Sequence, residues 1–433
     1  MHKNTSLLFY TAFLFLSVIL IKPCKAQRTS LTGNWGGVRD SLKEKGIEFG
    51  AVYSAMPVYN FRGGIKQGFR YIDNVDITAN LDLETLFGLK NTSLFLYGLG
   101  NNGGYATELV GDIQTVSNIE AYPTWKLFEA WIQKNFFNND ISILAGLYDI
   151  NSEFDVVKPG LLFVHSSYGM GAEFAQTGLN GPSTFPYTSL ALRVSANIKE
   201  RANVKFAVLD AVPGKLDQPG GTHIKLSKEE GALLVGQLNI NLGSDVLIFN
   251  NDKSRKAGSI RRRAIGRGFE SPNFNQIIIG GWRYTADFES LNGEQKRTGN
   301  QGFYIAYQRY FYLNAEQTKH ITAFVRYGLA ADEFNQIGSA FSGGLVSAVP
   351  LISADDQMGL AFSIANNGNT YEQTQQAENS RYDQAETNIE FTINHHLTPF
   401  VVLQPSVQYV INPGTAPELD NALVLLMLLQ IEL

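Results

Sequence analysis

The stretch that decides the fold is Glu386-Thr387-Asn388-Ile389-Glu390-Phe391-Thr392-Ile393. Because side chains alternate along a β-strand, this segment places two glutamates, an asparagine and a threonine on one face. The opposite face is largely apolar and carries Ile389, Phe391 and Ile393. The same two-residue period recurs along most of the chain. The pattern predicts an all-β protein whose strands separate an apolar environment from a polar one.

The first 26 residues have the composition of an export signal. A basic start is followed by an uncharged stretch from Leu7 to Ile21, and a small residue, Ala26, ends the segment. We therefore expect residues 1–26 to be a signal peptide that is cleaved after Ala26. The single cysteine, Cys24, would leave with it, so the mature chain is expected to have no disulfide and no thiolate site.

The overall composition excludes several classes of protein. The chain has 28 Phe, 19 Tyr and 41 Gly at a mean hydropathy of −0.09, and no later run approaches the ~18 apolar residues of a membrane helix. A formal net charge of −5 with scattered bases does not match a nucleic-acid binder. No Pro/Ser-rich linker divides the chain. A closed outer-membrane barrel or a large soluble all-β fold remains.

Strands and connectors favour the barrel. The pattern predicts about sixteen antiparallel strands in one domain over 47–433, after an N-terminal segment at 27–46. Short connectors alternate with long ones, as in barrels with short periplasmic turns and longer outer loops. The predicted outer loops include 59–73, 100–126 and 151–189. The long connector 249–274 is an exception, because the strand count places it among the short turns.

Charged side chains within the strands indicate which face is wet. A charge on the lipid face of a barrel costs roughly 2–4 kcal/mol at mid-membrane, so Asp76, Arg326, Glu386 and Glu390 are expected to point into a lumen. A soluble sandwich could carry the same alternation around a dry core. The continuous apolar face of the last strand, from Leu423 to Leu433, favours a membrane barrel.

Short segments occur in a fixed order along the mature chain. They are Leu31-Thr32-Gly33-Asn34-Trp35-Gly36-Gly37-Val38-Arg39, Gly46-Ile47-Glu48-Phe49-Gly50, Ser117-Asn118-Ile119-Glu120-Ala121, Leu127-Phe128-Glu129-Ala130-Trp131, Ser152-Glu153-Phe154, Gly280-Gly281-Trp282, Leu397-Thr398-Pro399-Phe400, Leu403-Gln404-Pro405, Tyr409-Val410-Ile411-Asn412-Pro413-Gly414 and Asn421-Ala422-Leu423. Each segment alone is unspecific. Together, in this order, they resemble the carbohydrate-selective porins of the OprB family.

The resemblance implies a sixteen-stranded barrel in the outer membrane of a Gram-negative bacterium, with a water-filled channel for monosaccharides such as glucose. It also implies a short helix at Val38 to Lys45 near the periplasmic mouth. The expected partners are small neutral sugars, outer-membrane lipid and lipopolysaccharide, with no nucleic acid, no cofactor and no metal. The expected assembly is a monomer or a homotrimer. The alternatives are a general diffusion porin without sugar selectivity and a soluble exported sugar-binding protein.

A channel that selects sugars needs hydrogen-bonding groups that replace water and an aromatic plate for the apolar face of the ring. One strand places Glu129 and Trp131 toward the lumen, with Phe128 toward lipid. This pair is therefore a candidate sugar contact. The alternative is a tryptophan of the interfacial aromatic belt beside a glutamate in a wall salt bridge.

The two longest outer loops are candidates to fold inward and narrow the pore. The candidate site residues beyond Glu129 and Trp131 are Asp112, Asn118 and Glu120 on the first loop, Glu153 on the second, and Arg283 and Arg326 on the opposite wall. Carboxylates would accept hydrogen bonds from sugar hydroxyls, and arginine's planar fork would donate them. For each of these residues, an ion pair within the protein is the alternative to solute contact.

Signals for an enzyme are weak. The chain has 6 histidines, no Gly-x-Ser-x-Gly turn, and no acid at an informative spacing from His165. His395 and His396 are expected in a turn next to a strand, and because neighbouring strand residues point to opposite faces, a metal shared by the two is disfavoured. We expect no catalytic site.

The basic run from Lys253 to Arg267 could be a disordered turn, a lipopolysaccharide contact or a site for anionic periplasmic partners.

Overall fold

The computed structural model describes residues 30–199, 201–243, 275–313, 320–347 and 356–433. Within these ranges, sixteen antiparallel strands close a barrel, because the first strand pairs with the last as well as with the second. The predicted count of sixteen and the barrel closure are confirmed. The signal segment 1–26 and the basic run 253–267 lie outside the described residues.

The strands follow one another around the barrel in chain order. Their bounds are β1 Ile47–Gly64, β2 Gly68–Asp82, β3 Thr92–Gly103, β4 Thr124–Phe136, β5 Ile141–Tyr148, β6 Ser189–Ile198, β7 Ala202–Asp210, β8 Ala232–Asn241, β9 Asn275–Tyr284, β12 Gln301–Tyr312, β13 His320–Ala330, β14 Ile337–Ser347, β15 Gln357–Asn367, β16 Ala385–Thr398, β17 Val401–Ile411 and β18 Asp420–Glu432. A separate ribbon pairs β10 Phe288–Glu289 with β11 Lys296–Arg297. Because β9 pairs directly with β12, this ribbon stays outside the barrel wall.

Helices are short and lie in connectors. They are α1 Val38–Glu44, α2 Leu83–Phe87, α3 Thr107–Val110, α4 Ala172–Ala175 and α5 Asn369–Ala377, with 3-10 turns at Trp35–Gly37, Ile150–Ser152, Lys158–Leu162, Ser166–Tyr168 and Pro413–Thr415. Among the described residues, no helix combines the length and apolar character that a bilayer crossing requires. The expected helix before β1 is present as α1.

The two faces of the strands carry the polarity that the sequence predicts. In β16, Glu386 and Glu390 are fully buried inside the barrel, while Ile389 is 38% and Phe391 is 43% exposed on the outside. The alternation persists through β8, where buried and partly exposed positions strictly alternate. The polar face therefore points inward, and the apolar face covers the outside.

The N-terminal segment is fastened to the end of the barrel that carries the chain terminus. The backbone N–H of Leu31 donates to the carbonyl of Glu432 at 2.7 Å, and the Arg39 guanidinium donates to the carbonyl of Leu433 at 2.8 Å. The N–H of Leu433 in turn donates to Ala51 of β1 at 3.0 Å. Helix α1 thereby lies against this end of the barrel.

The predicted outer loop at 59–73 is wrong. Strand β1 continues to Gly64 and β2 begins at Gly68, with Tyr59 paired to Phe69. The turn is tight because Gly63 and Gly64 adopt φ values of 71° and 65°, which residues with a Cβ rarely adopt. The aromatic alternation on both strands extends the pairing to this turn.

Two connectors fold into the barrel. Residues 104–123 and 149–188 contribute apolar side chains that pack against the inner wall. Phe163 and Phe174 of the second connector belong to a buried cluster with Trp282 of β9 and Phe324 of β13. The interior is therefore a wall of polar and aromatic residues narrowed by two loops, which we call loop A (104–123) and loop B (149–188).

Candidate functional site

Two wall glutamates hold the loops inside the barrel. The carboxylate of Glu390 accepts from the backbone N–H of Val164 at 3.0 Å and of His165 at 3.1 Å, in loop B. The carboxylate of Glu386 accepts from Ile113 at 2.9 Å and Gln114 at 3.0 Å, in loop A. Charge-assisted hydrogen bonds of this kind are about twice as strong as neutral ones. The strand that reveals the fold thus also anchors both loops.

Three strands from β16 around the barrel, Arg326 of β13 holds loop B through two carboxylates. Its Nε donates to Asp155 Oδ1 and its Nη2 to Asp155 Oδ2, both at 2.7 Å. Its Nη1 donates to Glu173 Oε2 at 3.0 Å, and Nη2 also donates to Glu173 Oε1 at 2.6 Å. All three side chains are at most 3% exposed. One cation therefore faces two carboxylates in a dry environment, and burial raises the pKa of Glu173.

A second ion pair, between the buried Arg193 and the partly exposed Glu153, fastens the start of loop B. Arg193 of β6 lies with Nε 2.9 Å from Glu153 Oε2, and its Nη2 donates to Gln133 Oε1 at 2.8 Å. Lys205 Nζ donates to the carbonyl of Glu153 at 2.8 Å. For both Glu153 and Arg326, the structure shows the ion pair that was the alternative to direct solute contact.

The predicted pair Glu129 and Trp131 points into the barrel but is covered. Trp131 Nε1 donates to Glu129 Oε1 at 3.1 Å, and the indole stacks on Phe95 with ring centroids 5.0 Å apart. Glu129 also accepts from the backbone N–H of Asp149 at 3.1 Å. Because Trp131 is only 2% exposed, its ring packs in the wall rather than forming an open plate.

The expectation that Phe128 faces lipid is wrong. Phe128 is buried, with its ring 5.0 Å from Tyr97 and 6.3 Å from Phe185 of loop B. The cause is a register shift between β3 and β4, where Tyr97 pairs with Glu129 but Gly98 pairs with Leu127. A bulge leaves one residue out of the pairing and resets the alternation of side chains.

A pocket of about 330 Å³ lies between loops A and B. Three tyrosines, Tyr105, Tyr122 and Tyr187, line it together with Glu120 and Asn180. The rings of Tyr105 and Tyr122 meet edge to face at 5.4 Å, and Tyr122 is 45% exposed. Aromatic plates and hydrogen-bonding groups therefore meet in one concave site, which we call the tyrosine pocket.

Polar groups around the tyrosine pocket retain hydrogen-bonding capacity. The hydroxyls of Tyr105 and Tyr187 and the Oδ1 of Asn180 are buried and have no hydrogen-bond partner among the residues described. Burial raises the pKa of Tyr105 to about 12, so its hydroxyl keeps its proton at neutral pH. Glu120 Oε2 accepts from the backbone N–H of Ala106 at 2.8 Å, which fixes its carboxylate in the pocket wall.

The remaining predicted residues are distributed differently. Of the three on loop A, only Glu120 lines the tyrosine pocket. The backbone N–H of Asn118 donates to the carbonyl of Val164 at 2.8 Å and so joins the two loops. Asp112 is buried close to Glu386, and burial together with that neighbouring carboxylate raises its pKa well above the usual range.

The prediction that Arg283 faces the lumen is wrong. Its neighbours Trp282 and Tyr284 are buried inside the barrel, so the side chain of Arg283 projects from the outer surface. The sequence reasoning also missed Glu173 and the three tyrosines, because all four lie in loops or directly beside them. The aromatic content of these loops was the available signal for the pocket.

Comparisons with known proteins settle the family. Residues 66–433 match the family described as carbohydrate-selective porin, OprB family. The chain belongs to this family. It is therefore a sugar porin of the Gram-negative outer membrane. Porin B of Pseudomonas aeruginosa is 23% identical to it over 433 residues, which cover 91% of this chain and 89% of that protein.

Solved structures agree with this porin in fold. The high-pH structure of Pseudomonas putida OprB has a TM-score of 0.78 at 18% identity, covering 94% of this chain and 99% of that one. The low-pH structure of the same protein has a TM-score of 0.58 at 16% identity, covering 95% and 100%. The two proteins therefore share the barrel fold.

Proposed function

We propose that this porin conducts small neutral sugars by facilitated diffusion and that the tyrosine pocket takes up one monosaccharide ring before it passes between loops A and B. The observation that carries the proposal is the pocket itself, where three tyrosines adjoin a carboxylate and an amide. The proposed role is a channel without catalytic activity. Contact with lipopolysaccharide and assembly as a monomer or homotrimer remain predictions.

The chemistry of the pocket suits a sugar. A pyranose ring has an apolar C–H face and a rim of hydroxyls, so it needs an aromatic plate and several donors and acceptors at once. The exposed ring of Tyr122 supplies the plate, and Glu120 and Asn180 supply acceptors. Small-molecule sites span roughly 300–1,000 Å³, so a pocket at the lower limit favours a single ring over a longer chain.

The charges of the constriction support a preference for neutral solutes. Arg326 is already saturated by Asp155 and Glu173, and Arg193 by Glu153 and Gln133. A charged solute would have to compete with buried ion pairs, whose disruption is costly. A neutral sugar can exchange hydrogen bonds with water and with the pocket while these pairs stay intact.

The proposal is tested with purified porin in planar bilayers and in liposomes. Glucose should block the ion current, and liposomes should swell faster in glucose than in an uncharged non-sugar of equal size. Tyr122→Ala should weaken the glucose block about 2- to 10-fold, since an aromatic contact contributes about 0.5–1.5 kcal/mol. Tyr105→Phe, which removes one hydroxyl, should weaken it by a comparable or smaller factor.

The matched control is Tyr371→Ala, because Tyr371 lies on helix α5 and does not line the pocket. It should leave the glucose block at the wild-type value. An unchanged block in Tyr122→Ala would remove the pocket from the pathway. Equal swelling in glucose and in the non-sugar would instead indicate a general diffusion pore.

A further inference from the structure

A groove crosses the outer surface of the barrel over four neighbouring strands. Phe206 of β7, Gly236 of β8, Gly281 of β9 and Phe303 of β12 are consecutive partners in the pairing register, so they form one row across the wall. The two phenyl rings are 48% and 46% exposed and form the banks of the groove. The groove encloses about 580 Å³, a volume that Leu329 and Ala330 of the next strand, β13, also line.

The groove exists because two adjacent strands lack side chains at this level. A Cβ built on Gly236 would meet nothing within 4 Å, which shows open space above the backbone. Neighbouring strands lie about 4.8 Å apart, so Phe206 and Phe303, three spacings apart, are separated by roughly 14 Å of wall. Gly236 and Gly281, which lie between them, have only a hydrogen atom in place of a side chain. A flexible hydrocarbon chain fits such a trough, whereas bulk lipid would leave its floor poorly packed.

One cation stands at the upper limit of this groove. Arg283 lies two residues beyond Gly281 on β9, hence on the same face, and pairs in register with Leu234 and Gln301. It is exposed, and no carboxylate forms an ion pair with it in the described parts of the chain. Because β9 ends at Tyr284, at the barrel end opposite the chain terminus, Arg283 lies at the level of lipid headgroups.

The position of Arg283 determines the kind of ligand. An arginine near the membrane interface costs little, and its planar fork matches the oxygens of a phosphate. An apolar trough that ends at a lone guanidinium is complementary to a lipid with an acyl chain below and a phosphate above. A protein partner would need an interface of roughly 1,200–2,000 Å², far wider than a trough over four strands.

We propose that this groove binds lipopolysaccharide, with one acyl chain of its lipid A lying over Gly236 and Gly281 and a lipid A phosphate held by Arg283. The charge and the trough act together. Arg283 fixes the headgroup at the rim, and the two phenyl rings confine the chain below it. The porin thereby carries a specific lipid on the wall formed by β7, β8, β9 and β12.

The test measures retention of purified lipid A by the full-length porin in detergent, using native mass spectrometry. Wild-type porin should retain phosphorylated lipid A and retain the dephosphorylated form at least about tenfold more weakly, as expected for loss of a charge-assisted hydrogen bond. Arg283→Gln should lower the affinity for the phosphorylated form by a similar factor. Gly236→Leu, which fills the trough without touching the backbone, should weaken both forms.

The control is Arg309→Gln, since Arg309 is also exposed on the outer face but lies toward the other end of β12. It should retain lipid A like the wild type. Equal retention of both lipids by the wild type, or wild-type retention in Arg283→Gln and Gly236→Leu, would overturn the proposal. A concentration-dependent dimer that Gly236→Leu abolishes would overturn it as well, because it would assign the groove to a second copy of the chain. Sugar conductance should stay unchanged in every variant, so this result is independent of the sugar pathway.

Discussion

Removal of the Arg326 guanidinium should release loop B from the inner wall. In Arg326→Met, a side chain of similar length replaces the cation, while Asp155 and Glu173 stay in a site that is at most 3% exposed. Four hydrogen bonds between the guanidinium and the two carboxylates are lost. Two buried carboxylates then face each other without a counter-charge.

The size of the effect follows from the burial of this site. Removing one partner of a buried ion pair costs about 3–5 kcal/mol, because the remaining charge stays desolvated. The backbone ladder of the sixteen strands does not depend on Arg326, so the cost should appear as local opening of loop B. Amides near Gly171 and Phe174 should exchange roughly two to three and a half orders of magnitude faster, and the ion current should rise and fluctuate.

The assay combines hydrogen exchange of the porin in detergent with single-channel recording. Arg283→Met is the matched control, since this arginine lies on the outer face and should change neither measurement. Adding Asp155→Asn and Glu173→Gln to Arg326→Met removes the unpaired charges and should recover most of the protection. The reasoning is refuted if Arg326→Met exchanges and conducts like the wild type, or if Arg283→Met shows the same loss.

Three further outcomes are expected. Glu390→Gln weakens the charge-assisted hydrogen bonds that the carboxylate accepts from the backbone of loop B. Hydrogen exchange at the Val164 amide should accelerate by a factor that corresponds to about 1–3 kcal/mol. An unchanged exchange rate would contradict the anchoring role of Glu390. Gly328→Ala places a Cβ against the carboxylate of Glu173, and overpacking of this kind costs about 1–3 kcal/mol. A thermal melt should therefore show that loop B detaches from the wall at a lower temperature. Gly236→Ala places its Cβ in open space and should leave that temperature unchanged. Burial raises the pKa of Asp112 well above its ordinary value of about 4, so docking of loop A should be strongest below that pH and weaken as the pH rises toward the raised pKa. Proteolysis of loop A between pH 4 and pH 8 should follow this trend, and the trend should become shallower in Asp112→Asn, with a remainder from Glu120 of loop A, whose pKa burial also raises.

Most of the barrel followed from local pattern. In β16, the alternation of Glu386 and Glu390 with Ile389 and Phe391 decides both the strand and its orientation, because a charge at mid-membrane costs several kcal/mol on the lipid face. The same alternation of polar and apolar side chains identifies the other strands. A count of sixteen therefore needed no knowledge of long-range contacts.

The predicted side-chain directions of Arg283 and Phe128 were wrong, because at these two positions simple alternation along the strand does not determine which face a residue occupies. Arg283 lies next to the end of β9, and there the cost of a charge on the lipid face falls to roughly 0–1 kcal/mol. The aromatic neighbours Trp282 and Tyr284 point inward, and the alternation along the strand therefore directs Arg283 outward. At Phe128, a bulge shifts the alternation by one residue, and a shift of one residue moves a side chain to the other face.

The sequence by itself determined the strand pattern, most of the inner and outer faces and the membership in a porin family, because each depends on periodicity or on short ordered motifs. The export signal at residues 1–26 stays a prediction. Only the tertiary structure decided how loops A and B fill the barrel. Glu173 meets Arg326 across 153 residues, and Glu386 meets Ile113 across 273 residues. Such pairings follow from the closure of the barrel, which brings distant segments together, and no local pattern contains them.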